Sequence, residues 1–120
     1  MKILSLAPFT SQEKDILTKT FPNHQFTFTR GAKLTQDMID NCDMLIGNAP
    51  DRINLNRANL KAIQLASAGS DTYVRKGVLN HNTLLANASG SYGKAISEHT
   101  IGMILALNKN FKTYFNNMNN

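Results

Sequence analysis

Cysteine is nearly missing from this 120-residue chain, where Cys42 stands alone. A single thiol cannot close an internal disulfide, which fits a reducing, cytoplasmic setting. Cys42 is expected as small core filling, because the sequence identifies no base that would activate it. Long apolar runs are also missing: nothing approaches the roughly 20 residues that cross a bilayer, so no membrane partner is expected. The opening MKILSLAPF holds only a short apolar segment with no A-x-A-like site after it. It therefore reads as a buried first strand rather than a leader. Acidic residues are scarce, eight against thirteen Lys and Arg, for a net charge of +5 and a pI near 9.6. That balance admits acidic partners, but the basic residues are scattered and no block interleaves them with aromatics. A nucleic-acid surface is not expected. What remains is a positive field that attracts small anions, or a solvated surface without function. His24, His81 and His99 lack metal-ligand spacing, so no metal is expected.

What is present suits one core. The hydrophobic share of 42% is ordinary globular usage, and 120 residues leave room for a single domain. Lys2–Ala7 reads as a buried strand, and Thr10 with Glu13 offers a capping box that starts a helix bearing Ile16, Leu17 and Phe21. Pro22 and Asn23 end that helix. Gln25–Thr29 alternates Phe26 and Phe28 with Thr27 and Thr29, the period of a strand. Thr35 can cap a short helix carrying Met38 and Ile39, and Met44–Ile46 is a third strand. Leu55–Leu60 suggests a helical turn or two, Ala62–Ala66 a fourth strand, and Val74, Val78 and Leu79 another short helix. Thr83–Ala86 is a fifth strand. The low-complexity content is confined to the Asn-rich tail, 116–120. Alternation of strand and helix predicts an α/β fold, a five-stranded parallel sheet with helices on both faces and a long C-terminal helix.

Residues 92–115 are expected as that one long helix, roughly 33 Å between Tyr92 and Tyr114 at about 1.5 Å per residue. Ile96, Thr100, Met103, Ile104, Leu107 and Phe111 form an apolar stripe along it. Ala95, Gly102 and Ala106 gather small side chains on another side, with His99 near them as a packed or hydrogen-bonded residue. Two such faces suggest a helix wedged between two bodies, in a module cut from something larger. With one body gone, association into a homodimer through 96–111 is expected.

In open parallel sheets ligands bind beyond the carboxyl ends of the strands. Gly47–Pro50, Ser67–Asp71 and Asn87–Gly93 leave such ends, and all are rich in Gly, Ser or Asn. Two readings of Ser67–Asp71 stand. Successive N–H groups of Ala68, Gly69 and Ser70 could form an anion-binding concavity for a carboxylate. Alternatively Gly69 only makes a tight turn while Asp71 caps a following helix.

LKAIQLASAGSDTY followed by LLANASGSYGKAISEHTIGMILALNKN resembles the amino-terminal domain of the NAD-dependent D-isomer-specific 2-hydroxyacid dehydrogenases. The likeness rests on Leu60-Lys61-Ala62-Ile63-Gln64, Gly69 with Asp71, Gly90, Ala95-Ile96-Ser97-Glu98 and Leu105-Ala106-Leu107-Asn108-Lys109. It covers most of 43–111, and the SGSYG…EH form is similar to the phosphoglycerate-dehydrogenase-like and glyoxylate/hydroxypyruvate-reductase-like branch. The resemblance implies a flavodoxin-like substrate domain, residues 1–120, with 92–115 as the interdomain helix. It implies that Ala68, Gly69 and Ser70 hold the substrate carboxylate by backbone N–H groups, and that Ser89, Gly90 and Gly93 lie at a hinge. It implies NAD or NADP in a longer parent, bound by a Rossmann domain absent from this chain together with the catalytic residues. Gly90-Ser91-Tyr92-Gly93 lacks the spacing of a G-x-G-x-x-G loop, so no catalytic or cofactor-binding residue is assigned here. Glu98 and His99 match a structural helix pattern.

Two functions follow. One is the substrate domain of an oxidoreductase that interconverts a 2-oxoacid and a D-2-hydroxyacid by hydride transfer, inactive alone. The other is a non-catalytic flavodoxin-like binding or interaction module, such as a truncated gene product. A receiver-type signalling domain fails, because the first strand ends in Ala7-Pro8 without the acidic pair that Mg²⁺ requires.

Overall fold

The first strand is built from KILS, and its neighbours on both sides run parallel to it. In the computed structural model, which describes residues 1–118, the elements are β1 (Lys2–Ser5), α1 (Ser11–Thr20), β2 (Gln25–Phe28), α2 (Gln36–Asp40) and β3 (Met44–Ile46). They continue as β4 (Ala62–Gln64), β5 (Leu84–Ala86), α3 (Gly93–Asn108) and α4 (Phe111–Met118). The last residues of the Asn-rich tail, Asn119 and Asn120, lie outside the described residues. The five strands form one parallel sheet in the order β2-β1-β3-β4-β5, the flavodoxin-like order. The chain divides into two compact units, Met1–Ser89 and the helical segment from Gly90 onward.

Register decides which residues share a face. Leu4 pairs with Thr27 and Leu45, Leu45 with Ile63, and Ile63 with Leu85. This row is the floor of the core: Leu4, Leu45 and Ile63 are buried beneath Leu34, Ile39, Ile53, Leu55, Leu60, Leu65 and Tyr73. Fully burying each Leu or Ile contributes about 1.5–3 kcal/mol. The opposite face carries Ile3, Phe26, Met44, Ala62 and Leu84 in one row. There α1 approaches Phe28 through Lys14, whose Nζ sits 5.4 Å from the ring centroid. No α1 residue is buried, and Leu84 is 74% exposed, so this second face is thinly covered.

Local chemistry sets the helix ends. Thr10 and Glu13 form the capping box: Thr10 N–H donates to Glu13 Oε2 at 2.7 Å, and Glu13 N–H to Thr10 Oγ1 at 3.3 Å. These bonds hold the Glu13 carboxyl below its ordinary pKa, the Thr10 backbone contributing most. Thr35 caps α2 by accepting from Met38 N–H. Cys42 is half-buried and donates to Ile39 O, and its thiol is pushed up to about 11, chiefly by burial and next by Asp43. It therefore stays a neutral thiol at ordinary pH.

Two crossovers differ from expectation. Residues 47–61 and 65–83 contain no helix and run as successive turns. Asn54 Oδ1 accepts from Arg57 N–H and Ala58 N–H bonds Leu55 O, which closes tight turns rather than a helix, although Leu55 and Leu60 do face inward. In the later segment Gly77 takes φ +85 and Val74 is 67% exposed, while Leu65 and Tyr73 are buried in the core and Leu79 packs against it. The long helix also differs. It begins at Gly93, one residue after the expected start, and ends after 16 residues, roughly 24 Å. Asn110 at φ 52 then turns the backbone before α4 starts at Phe111. Asparagine tolerates that left-handed conformation better than most residues, so 92–115 is two helices. No residue of α3 is buried, His99 included.

Asp43 ties the amino ends of three strands. Its Oδ2 accepts from Lys2 N–H at 2.7 Å, its Oδ1 pairs with Lys61 Nζ at 2.7 Å, and its backbone bonds Lys2 and Lys61. Lys61 first, then the Lys2 N–H, hold its carboxyl below the usual value. A depressed folded pKa gives stability that is complete above the unfolded value and is lost as pH falls through the folded one. Asp43→Asn is therefore expected to flatten the loss of stability on acidification below about pH 4. Urea midpoints measured across that range check it, and an unchanged acid slope would show that Asp43 is not a source.

Candidate functional site

The loop after β4 is shaped by side chains from the loops after β3 and β5. Gly47 ends β3 at φ +112, where a Cβ would stand 2.9 Å from Leu6 Cβ, so only glycine lets the chain turn this close to β1. Asn48 follows and reaches across: its Nδ2 donates to Ser67 Oγ at 2.9 Å and its Oδ1 accepts from Ala66 N–H at 2.9 Å. Beyond β5, Asn87 Nδ2 donates to Ala68 O at 2.8 Å, and Ala88 N–H donates to Ser67 O at 3.0 Å. Ser67 Oγ donates to Gly69 O at 3.0 Å, and Ser70 O accepts from Tyr73 and Val74 N–H.

The consequence is directional. The carbonyls of Ser67, Ala68, Gly69 and Ser70 are all engaged by donors of the chain itself. In a trans peptide the next N–H points the opposite way from its carbonyl. Gly69 and Ser70 N–H are thus turned away from the groups that fix the Ala68 and Gly69 carbonyls. Gly69 is exposed, has no left-handed φ, and an added Cβ would meet nothing within 4 Å. Its turn does not demand glycine; the missing side chain leaves the space above the loop open.

Ala68, Gly69 and Ser70 lie in the loop after β4, and Asp71 caps no helix, because turns follow it. Ser89 N–H bonds Asn87 Oδ1, Gly90 takes φ +85, and Gly93 opens α3. The division into units falls between Ser89 and Gly90. Asn48 and Asn87 were missed as positioning residues; their place directly after strands was the available signal. Glu98 is exposed and 3.8 Å from Lys94, and His24 Nδ1 is buried without a hydrogen-bond partner. Among the described residues no cluster of three metal-type side chains forms, and no helix is long and apolar enough to cross a membrane.

Sheet order, crossovers and the polar loops at the strand ends define a flavodoxin-like α/β domain of the kind found in dehydrogenases. The chain is similar to the crystal structure of phosphoglycerate dehydrogenase from Lactobacillus plantarum, with TM-score 0.59 and 26% identity over 92% of this chain and 36% of that one. Over 60 residues it is 43% identical to an uncharacterized protein in the proB 3′ region of Corynebacterium melassecola, covering 50% of this chain and 19% of that protein. It thus spans about a third of the first (36%) and a fifth of the second (19%). No family model matches the sequence.

Proposed function

We infer that this chain is the substrate-binding part of an NAD(P)-dependent oxidoreductase that interconverts a 2-oxoacid and a D-2-hydroxyacid by hydride transfer. One observation carries the reading: the loop 67–70 at the carboxyl end of β4 is held by Asn48 and Asn87 with its carbonyls engaged by donors of the chain itself, and in this reading the backbone N–H groups of Ala68, Gly69 and Ser70 receive the carboxylate. A carboxylate there would accept charge-assisted hydrogen bonds. The likeness to a phosphoglycerate dehydrogenase supports an oxidoreductase-like domain and suggests NAD in the parent. The residues of this chain do not fit a dinucleotide, since Gly90-Ser91-Tyr92-Gly93 has the wrong spacing for a phosphate loop, so no step is assigned to it. Ser89, Gly90 and Gly93 serve as the hinge in this reading. The exposed Ile96, Ile101, Met103, Ile104 and Leu107 of α3 offer the surface for a parent domain or a second copy.

Titration of the chain with oxamate, an isostere of a small 2-oxoacid, tests the loop. Saturable amide shifts at Gly69 and Ser70 are expected, with affinity in the millimolar range, about −4 kcal/mol. Shifts absent from that loop would overturn the proposal.

A further inference from the structure

A second feature lies at the same edge of the sheet, between the start of α1 and the carboxyl ends of β1 and β2. A half-open cavity of about 590 Å³ is lined there by Lys14, Arg30 and Lys33 together with Phe9 and Phe28. No carboxylate lines it. Glu13, the nearest acid in sequence, is committed to Thr10, whose N–H and hydroxyl both bond Oε2. The ion pairs among the described residues engage Arg57, Lys61 and Lys94, and none engages Lys14, Arg30 or Lys33. Three of the thirteen basic residues thus face one cavity without a counter-charge.

The backbone that carries Arg30 and Lys33 is held in place, and Lys14 has an aromatic contact. Arg52 Nη2 donates to the carbonyls of Gly31, Ala32 and Leu34 at 2.7, 3.2 and 2.9 Å, which pins the turn that separates Arg30 from Lys33. Lys33 N–H closes that turn on Arg30 O. Lys14 is laid over Phe28, and Phe9 meets the same ring edge-on at 6.2 Å. A guanidinium and two ammonium groups around a partly aromatic wall match a phosphate ester: bidentate bonding from Arg30, point charges from the lysines, apolar contact from the rings.

We propose that this cavity binds a small phosphate ester carrying at least two negative charges. It is separate from the Ser67–Ser70 loop. Strands β1 and β2 lie two and three places from β4, about 10–14 Å at roughly 4.8 Å per strand, beyond the span of a small 2-oxoacid. The site does not rest on the oxidoreductase reading.

Calorimetry with pyrophosphate at low salt, with amide shifts in parallel, is the test. Saturable binding is expected, with shifts at Arg30 and Lys33 and none at Gly69. Arg30→Gln with Lys33→Gln should weaken it about tenfold or more, while Lys109→Gln with Lys112→Gln, the same change of net charge, should not. Circular dichroism establishes that both variants fold. Equal weakening by the two pairs, tighter binding of citrate than of pyrophosphate, or no saturable binding would each overturn the site.

Discussion

Truncating Leu45 to alanine is expected to lower the unfolding free energy by about 3–5 kcal/mol. Leu45 is fully buried in the central strand, between Leu4 on β1 and Ile63 on β4, with Ile39 and Leu34 in the same buried cluster. Strands on both sides are hydrogen-bonded to β3, so the backbone cannot close onto the lost volume. Both the transfer term and the cavity term then apply in full. Domains of this size hold only about 5–15 kcal/mol in total, so the variant should unfold in urea roughly 2 M earlier. Leu84→Ala, in the edge strand on the thinly covered face, is the contrast. Its side chain is mostly exposed, and its loss should cost under about 0.5 kcal/mol. Near-equal losses at the two positions would mean that the core is not on the Leu4–Leu45–Ile63 face.

That asymmetry between faces shows what the sequence disclosed. Strand positions and the Thr10–Glu13 and Thr35 caps were legible, because short-range hydrogen bonds and apolar runs determine them. The turns of 47–61 and 65–83 were not, since Leu55, Leu60 and Leu79 reach the core from turns as readily as from a helix. The break at Asn110 left only an Asn in a polar Asn-Lys-Asn run as its sign. Periodicity in α3 marked which side chains seek a partner, yet it cannot say where that partner is. The site was legible as a Gly- and Ser-bearing loop after a strand. The bonds that hold the loop were not, because Asn48 and Asn87 act across 19 residues of sequence.

If the proposed oxidoreductase reading holds, Gly69→Val in the longer parent should raise KM for the 2-oxoacid by about 10–100-fold with little change in NADH binding. The backbone at Gly69 is open to any residue, and the space where a Cβ would go is empty, so the fold should tolerate valine. What valine changes is access. Its branched side chain stands beside the N–H groups of Gly69 and Ser70, where the carboxylate would sit. Blocking one charge-assisted hydrogen bond costs about 1.5–3 kcal/mol, which sets the range. Since a carboxylate is held alike in the bound substrate and the transition state, kcat should fall much less than kcat/KM. Steady-state kinetics with NADH saturating, and a separate NADH titration, distinguish the outcomes. A matched loss in NADH affinity and KM would make the loop a scaffold for the whole cleft, and an unchanged KM would place the carboxylate elsewhere.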